Sequence, residues 1–115
     1  MALYYELPVY KDTYELVLSI FAVTQEYSRD YKHTLGQDMK RDVMELIRCI
    51  YRANRSEQKR EHLEAFLEQF ELLKLELRVS YDLQLVGLRN YTELSVIIDK
   101  IGKQVTGWKN HVEKK

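Results

Sequence analysis

The sequence has little of the residue types that break helices or build disulfide frameworks. Among its 115 residues there are one cysteine, one proline and four glycines. A single cysteine excludes an intramolecular disulfide framework, and the scarcity of proline and glycine argues against a β-sandwich with its many turns. Hydrophobic residues make up 45% of the chain, which argues against disorder. The composition instead favours helix, and the length fits one domain over residues 1–115.

Long apolar runs and targeting signals are also missing. Charged residues interrupt every apolar stretch, so no window approaches the roughly 18 apolar residues that a membrane-spanning helix needs. The opening residues, MALYYELPVYKD, lack both the basic start and the apolar run of a signal peptide. We therefore expect a cytoplasmic protein with no membrane partner.

The chain carries no net charge, because 18 basic residues balance 18 acidic ones. The charges are unevenly distributed: residues 1–28 carry net −3, residues 29–60 net +4, residues 61–82 net −4 and residues 83–115 net +3. A neutral total therefore hides a basic segment, which is where an anionic partner would bind.

Apolar residues recur at steps of three and four along four segments, which is the spacing of amphipathic helices. The pattern predicts helices over about residues 9–27, 34–54, 57–84 and 88–110. Ser56 is the expected N-cap of the third helix, and residues 85–87 separate it from the fourth. The predicted core faces are Tyr10, Tyr14, Val17, Leu18 and Phe21 in the first helix, Met39, Val43, Leu46, Ile50 and Ala53 in the second, Leu63, Phe66, Phe70, Leu73, Leu77 and Tyr81 in the third, and Tyr91, Leu94, Ile98, Ile101, Val105, Trp108 and Val112 in the fourth.

Short connections force sequential helices to run in opposite directions. The expected fold is therefore all-α, an antiparallel up-down-up-down four-helix bundle.

The helices carry more apolar surface than one bundle core needs. Large exposed apolar patches are uncommon on soluble monomers, so the surplus predicts an oligomer interface. Its predicted residues are Leu16, Ile20, Val23 and Tyr27 on the first helix, Met44 and Tyr51 on the second, and Leu72, Leu75 and Val79 on the third. The alternative is a monomer with scattered surface leucines and tyrosines, with helical phases misjudged by about one residue.

Basic residues line the outer face of the second helix. Arg41, Arg48, Arg52 and Arg55 project within about 60° of one another, away from the core. Guanidinium forks arranged in a row suit phosphates, so these four, supported by Lys32 and Lys40, are the predicted nucleic-acid and partner-binding residues. The alternative is a solvated face with local pairs to residues such as Glu45. We find no aromatic residue interleaved with the arginines, which argues against base stacking.

The sequence lacks the motifs of enzymes and metal sites. His33, His62 and His111 lie in different segments, and the nearest match to a Glu-x-x-His motif is Asp30-x-x-His33 in a predicted loop. Cys49 lies at the edge of the second helix's core face, where an inert thiol is expected. There is no Gly-rich phosphate loop and no nucleophile elbow. We therefore expect no catalytic activity, no metal, no cofactor and no small-molecule substrate.

Four groups of residues follow one another along nearly the whole chain: Leu7–Lys11 with Tyr14, Tyr31 and Lys32 followed by residues 34–36, Leu77–Leu83, and Ile101–Lys109. The last group contains the most specific pattern, Ile-Gly-Lys-x-x-x-Gly-Trp. Together these groups resemble the Avd family, the accessory variability determinants of diversity-generating retroelements.

The resemblance implies an antiparallel four-helix bundle that forms a pentameric, barrel-like ring without catalytic activity. It implies binding to the element's reverse transcriptase and template RNA, and in that setting to a cDNA/RNA hybrid, in support of mutagenic cDNA synthesis that diversifies a target gene. The family is similar to the 23S rRNA intervening-sequence bundle proteins, so the alternative is a protein-binding bundle without nucleic-acid binding. Avd proteins are typically strongly basic, whereas this chain is neutral, so its RNA contacts are expected on the second helix.

Overall fold

Four long α-helices account for most of the chain. The computed structural model describes residues 2–113, and that range contains no strand. Its elements are a 3₁₀ helix at Tyr4–Glu6, α1 at Pro8–Gln25, α2 at Arg29–Lys32, α3 at Leu35–Arg55, α4 at Lys59–Asp82 and α5 at Leu88–Glu113. The four predicted helices correspond to α1, α3, α4 and α5, with ends that differ by up to three residues. The polar stretch before α3 contains one additional helical turn, α2.

The junction between α3 and α4 differs from the predicted cap. Ser56 directly follows α3, and α4 begins only at Lys59. The Ser56 hydroxyl accepts the Gln58 N–H at 2.9 Å inside the connection. The Lys59 ammonium donates to the carbonyls of Ala53 and Asn54, both at 2.9 Å, and so caps the last turn of α3. The prediction of Ser56 as the N-cap was wrong, because its hydroxyl stabilises the turn that precedes the helix.

The end of α4 forms a Schellman motif without a glycine. Gln84 has a φ of 63°, in the left-handed region. Its N–H donates to the Tyr81 carbonyl at 3.0 Å, and the Leu85 N–H donates to the Ser80 carbonyl at 2.9 Å. These bonds satisfy two carbonyls at the helix end and turn the chain toward α5.

Each long helix packs against two others. The contacting pairs are α1 with α3, α3 with α4, α4 with α5, and α5 with α1, and this closed cycle makes a four-helix bundle of about 46 × 22 × 22 Å. Ser80 Oγ lies 3.4 Å from Met39 Sδ near one end of the α3–α4 contact, whereas Lys59 meets Ala53 at the other end.

The core of α3, α4 and α5 follows the predicted faces. All five predicted core residues of α3 are fully buried, as are most of those in α4. Tyr81 is only partly buried and stacks on Tyr91 with ring centroids 4.5 Å apart. In α5, Leu94, Ile98, Ile101 and Val105 are buried, while the predicted residues at both ends of the helix are half-buried.

The core face of α1 differs in large part from the predicted one, although Val17 is buried as predicted and Tyr10 packs half-buried against the core. Leu16 and Ile20 are fully buried, and Tyr27, just after α1, is also in the core. Leu18 and Tyr14, which were predicted to face inward, are about half exposed. Because both sides of α1 are apolar, periodicity alone does not fix its rotation. The interior accepts the aliphatic side, whereas the tyrosine side keeps its hydroxyls near water.

Because of this rotation, the prediction was wrong for three of the interface residues. Leu16, Ile20 and Tyr27 fill the bundle interior and have no surface to offer a second copy. Val23 is half-buried and packs against the core. The outward apolar side of α1 instead consists of Tyr14, Leu18 and Phe21.

Candidate nucleic-acid interface

The arginine stripe, Arg41, Arg48, Arg52 and Arg55, lies on the exposed surface of α3. All four side chains are exposed, and at least half of each of the first three is open to solvent. They follow the heptad-like spacing of one helix face, opposite the buried residues of α3. The structure therefore brings the four predicted arginines together on one surface.

Local ion pairs partly neutralise this stripe. Glu45 accepts from Arg48 at 3.0 Å and from Arg52 at 3.2 Å, so one carboxylate serves two guanidinium groups. Arg41 lies 3.3 Å from Asp38 and 3.4 Å from Asp42. Exposed ion pairs of this kind contribute about 0–1 kcal/mol each, so an incoming phosphate can displace them. The four arginines outnumber their three acidic partners, Asp38, Asp42 and Glu45, so the stripe keeps a net positive charge.

Arg55 has an aromatic neighbour in place of an acidic one. Its Nη1 donates to the Tyr51 hydroxyl at 2.7 Å, and its guanidinium carbon lies 5.3 Å from the centre of that ring. Tyr51 is one of a group of five tyrosines that also contains Tyr4, Tyr5, Tyr10 and Tyr14. The statement that no aromatic residue interleaves the arginines was therefore wrong. Two features of the sequence could have indicated these aromatic neighbours: Tyr51 lies four residues before Arg55, and tyrosines are frequent near the start of the chain.

The two supporting lysines lie together at the other end of the stripe. Lys32 and Lys40 line one small surface pocket beside Phe21, and the Lys40 ammonium is 5.8 Å from the centre of the Phe21 ring. Both lysines are half-buried. They extend the basic surface of α3 toward α1, on the side where α1 exposes its apolar residues.

The lysines of α5 do not extend this surface. α5 packs against α1 and α4 and makes at most marginal contact with α3, so its surface is separate from the stripe. Lys100 pairs with Asp12 at 3.3 Å, and Lys103 pairs with Asp99 at 3.1 Å. The basic surface is therefore confined to α3 and its connection to α1.

Five of the predicted interface residues are exposed as expected: Met44, Tyr51, Leu72, Leu75 and Val79. They fall into two separate stripes. Met44 and Tyr51 lie on the side of α3 that faces α1. Lys40, on the same stripe, contacts Phe21 of α1. Tyr51 contacts Tyr4 of the 3₁₀ helix that precedes α1. The other three form a stripe on the outer side of α4. Surplus apolar surface is therefore present on two faces of the bundle.

The remaining candidate groups form no reactive cluster in the part of the chain that the structure describes. Cys49 is buried, and burial, followed by the charge of Glu45, raises the pKa of its thiol, so it stays protonated near neutral pH. Within residues 2–113, no three His, Cys, Asp or Glu side chains are grouped so that they could hold a metal ion. None of the helices in that range is long and apolar enough to cross a bilayer.

An open groove lies between α4 and α5, with a volume of about 730 Å³. Gly102 sits at its base, where a Cβ would lie 3.3 Å from Cε2 of Phe70. This glycine therefore permits the close approach of α5 to α4. The lining mixes both charge signs, including Lys74 and Asp99, and it has no cluster of nucleophile and base.

A comparison with protein families supports the sequence resemblance. No curated protein matches the sequence significantly. A family profile described as bAvd-like matches residues 8–112, from the first residue of α1 to the last turn of α5. Because this match covers the four long helices, the chain belongs to the bAvd-like family.

Proposed function

We propose that this protein is a non-enzymatic accessory protein of a diversity-generating retroelement that binds the element's reverse transcriptase and template RNA. Membership of the Avd-like family, whose members are accessory proteins of such elements, is the observation that carries the proposal. The role is to support mutagenic cDNA synthesis, with chemistry supplied by the reverse transcriptase.

In this proposal the bundle is antiparallel, up-down-up-down. The contacts between α3 and α4 support this orientation, since Met39 near the start of α3 meets Ser80 near the end of α4. Between α1 and α3, Phe21 near the end of α1 meets Lys40 near the start of α3. The short connections between sequential long helices also support opposite directions.

The protein assembles in this proposal into a pentameric ring through its two apolar faces. One face lies on α1 and α3, contains Leu18, Phe21 and Met44, and is bordered by the basic side chains of α3. The other is the stripe Leu72, Leu75 and Val79 on α4, which the exposed Glu61 and Glu68 continue toward the start of the helix. Two different, oppositely charged faces on one molecule fit a head-to-tail contact, which closes into a ring when the rotation permits.

The arginine stripe is the proposed RNA contact. Each guanidinium presents a planar fork of N–H groups that can donate two hydrogen bonds to one phosphate, and the stripe needs no base-specific readout for this contact. A ring repeats the stripe in every subunit, so modest affinity per site is multiplied when one RNA engages several subunits.

The test is RNA binding by the variant Arg48→Glu plus Arg52→Glu. We expect wild-type affinity for template RNA to fall steeply with salt concentration, and the variant to lose binding while it remains folded. The matched control is Arg89→Glu plus Lys103→Glu, which makes the same charge change at exposed positions of α5. Wild-type RNA binding by the stripe variant would disprove the assignment of the stripe.

The alternative function is a protein-binding bundle without nucleic-acid binding. The pairing of Glu45 with Arg48 and Arg52 favours it, because a stripe satisfied within its own helix needs no phosphate. Under this alternative, the wild-type protein co-purifies with the reverse transcriptase but shows no salt-dependent affinity for RNA.

A further inference from the structure

Five tyrosines from three separate segments meet at one end of the arginine stripe. Tyr4 of the 3₁₀ helix makes edge-to-face contacts with Tyr51 of α3, Tyr10 of α1 and its neighbour Tyr5, with ring centroids 5.0, 5.3 and 5.4 Å apart. Tyr14 stacks on Tyr10 at 6.1 Å. We call this group the tyrosine platform. It exists only in the folded chain, because its members lie up to 47 residues apart in sequence.

The platform is held in place by its neighbours. The side-chain amide of Asn54, at the end of α3, donates to the Ala2 carbonyl at 3.0 Å and ties the start of the chain to that helix. The Glu6 carboxylate accepts the Leu3 N–H at 3.0 Å, and Leu7 packs against the core. A surface arranged before binding loses less conformational entropy when a ligand arrives.

The outer rings of the platform remain available to a ligand. Tyr5 is 51% exposed, Tyr14 49% and Tyr51 41%, while each ring also contacts Tyr4 or Tyr10. Arg55 donates to the Tyr51 hydroxyl at 2.7 Å, so the exposed aromatic surface begins where the arginine stripe ends.

We propose that the tyrosine platform stacks the bases of single-stranded RNA whose phosphates lie along Arg48, Arg52 and Arg55. Aromatic rings beside a row of cations are the combination by which proteins bind single-stranded nucleic acids, because every base has a face that can stack. In a duplex the bases are already stacked on one another, so the platform discriminates between single and double strands. This inference rests on the proposed RNA binding and adds the form of RNA that is recognised.

The test compares two labelled RNAs by fluorescence anisotropy: an oligouridine of about 12 nucleotides, within the usual size of such sites, and the duplex that it forms with oligoadenine. The variant is Tyr5→Ala plus Tyr14→Ala, at two exposed positions. Loss of base stacking weakens single-strand binding by about fivefold or more. Duplex binding stays unchanged, since the arginine stripe is intact.

The control variant is Tyr5→Phe plus Tyr14→Phe, which keeps both rings and removes only the hydroxyls. We expect it to bind single strands like the wild type. The proposal is overturned if the alanine variant binds oligouridine like the wild type, or if it loses single-strand and duplex binding equally. It is also overturned if the alanine variant has a smaller mass in light scattering, because the platform would then be a contact between copies. Failure of the proposed RNA binding itself is distinct, since the wild-type protein would then bind neither RNA.

Discussion

Asp42 of α3 and Glu76 of α4 place their carboxyl groups together in the bundle interior. Asp42 is 4% exposed and Glu76 is 8% exposed. Within residues 2–113, Oδ2 of Asp42 and Oε1 of Glu76 have no hydrogen-bond partner. Two buried carboxylates at one place repel each other, whereas a carboxyl group that keeps its proton can donate a hydrogen bond to its neighbour.

The surroundings of this pair favour the protonated state of Glu76. Burial, the hydrogen bond and charge of Asp42, and the charge of Asp38 together raise the pKa of Glu76 from 4.5 to about 8, and burial is the largest of these causes. Arg41 opposes this change. Tyr27, in the connection after α1, also lies near Glu76, and its own pKa is raised mainly by burial, so its hydroxyl remains neutral and adds no charge. Glu76 is therefore largely protonated at neutral pH.

The bundle should lose stability as the pH rises from about 4.5 to about 8. In that window unfolded Glu76 has released its proton while folded Glu76 still holds it. The folded state therefore binds more protons, and the free energy of unfolding decreases with increasing pH. The contribution is fully present below 4.5 and is lost above the folded pKa. Urea unfolding at a series of pH values measures this dependence.

Glu76→Gln is the matched variant for this pH dependence. The amide can donate a hydrogen bond to Asp42 and does not titrate, so its stability should change less than the wild type between pH 4.5 and 8. Glu68→Gln, at an exposed position of the same helix, should retain the wild-type slope. Equal slopes for wild type and Glu76→Gln would show that Glu76 does not hold the proton.

Substitutions at Leu16 and Leu18 report the rotation of α1. Leu16 is fully buried and Leu18 is 55% exposed, although the two differ by only two positions. Leu16→Ala should lower the free energy of unfolding by about 2–5 kcal/mol through lost burial and a cavity. Leu18→Ala should change it by less than about 1 kcal/mol. Denaturant unfolding of both variants checks this, and the reverse order would restore the rotation that the periodicity predicted.

Gln84→Gly should stabilise the protein. Gln84 holds a φ of 63° at the end of α4, a conformation that costs a residue with a Cβ about 1–2 kcal/mol and a glycine little. The greater freedom of glycine in the unfolded chain offsets part of this gain, so we expect a net increase of about 0.5–1 kcal/mol. Ala65→Gly, at an exposed position in the interior of α4, should instead destabilise by a similar amount. Thermal unfolding of the two variants should therefore shift in opposite directions.

Leu75→Glu tests the proposed contact between copies. Leu75 is 59% exposed at the centre of the α4 stripe, and a carboxylate there would be buried unpaired in an apolar interface. Light scattering should give a pentamer mass for the wild type and a smaller mass for the variant. Leu88→Glu, at a position that is 65% exposed outside the stripe, should keep the wild-type mass. A monomer mass for the wild-type protein would disprove the proposed pentameric ring.

Much of the arginine stripe could be read from the sequence. Residues 41, 48, 52 and 55 are successively seven, four and three positions apart, and local spacing within one helix determines which side chains share a face. The pair of Glu45 with Arg48 follows from the same rule, since the two are three residues apart. Such features depend on one helix only.

The tyrosine platform and the buried carboxyl pair depend on several helices. Tyr4 meets Tyr51 only because the start of the chain folds back onto the end of α3. The burial of Asp42 could not be predicted from the sequence, because a charged residue beside core positions normally points to solvent. Its burial against Glu76 depends on how closely α3 and α4 pack.

The sequence by itself determined the helical class, the four long helices, and the core faces of α3, α4 and most of α5, because each of these has one clearly apolar side. Tertiary structure decided the rotation of α1, whose two sides are both apolar, and buried Leu16 and Ile20 in place of Tyr14 and Leu18. It also decided which distant groups meet, such as Asp42 with Glu76 and Tyr4 with Tyr51. The physical reason is that periodicity specifies a face relative to its own helix axis, whereas only packing against neighbouring helices selects which face is buried.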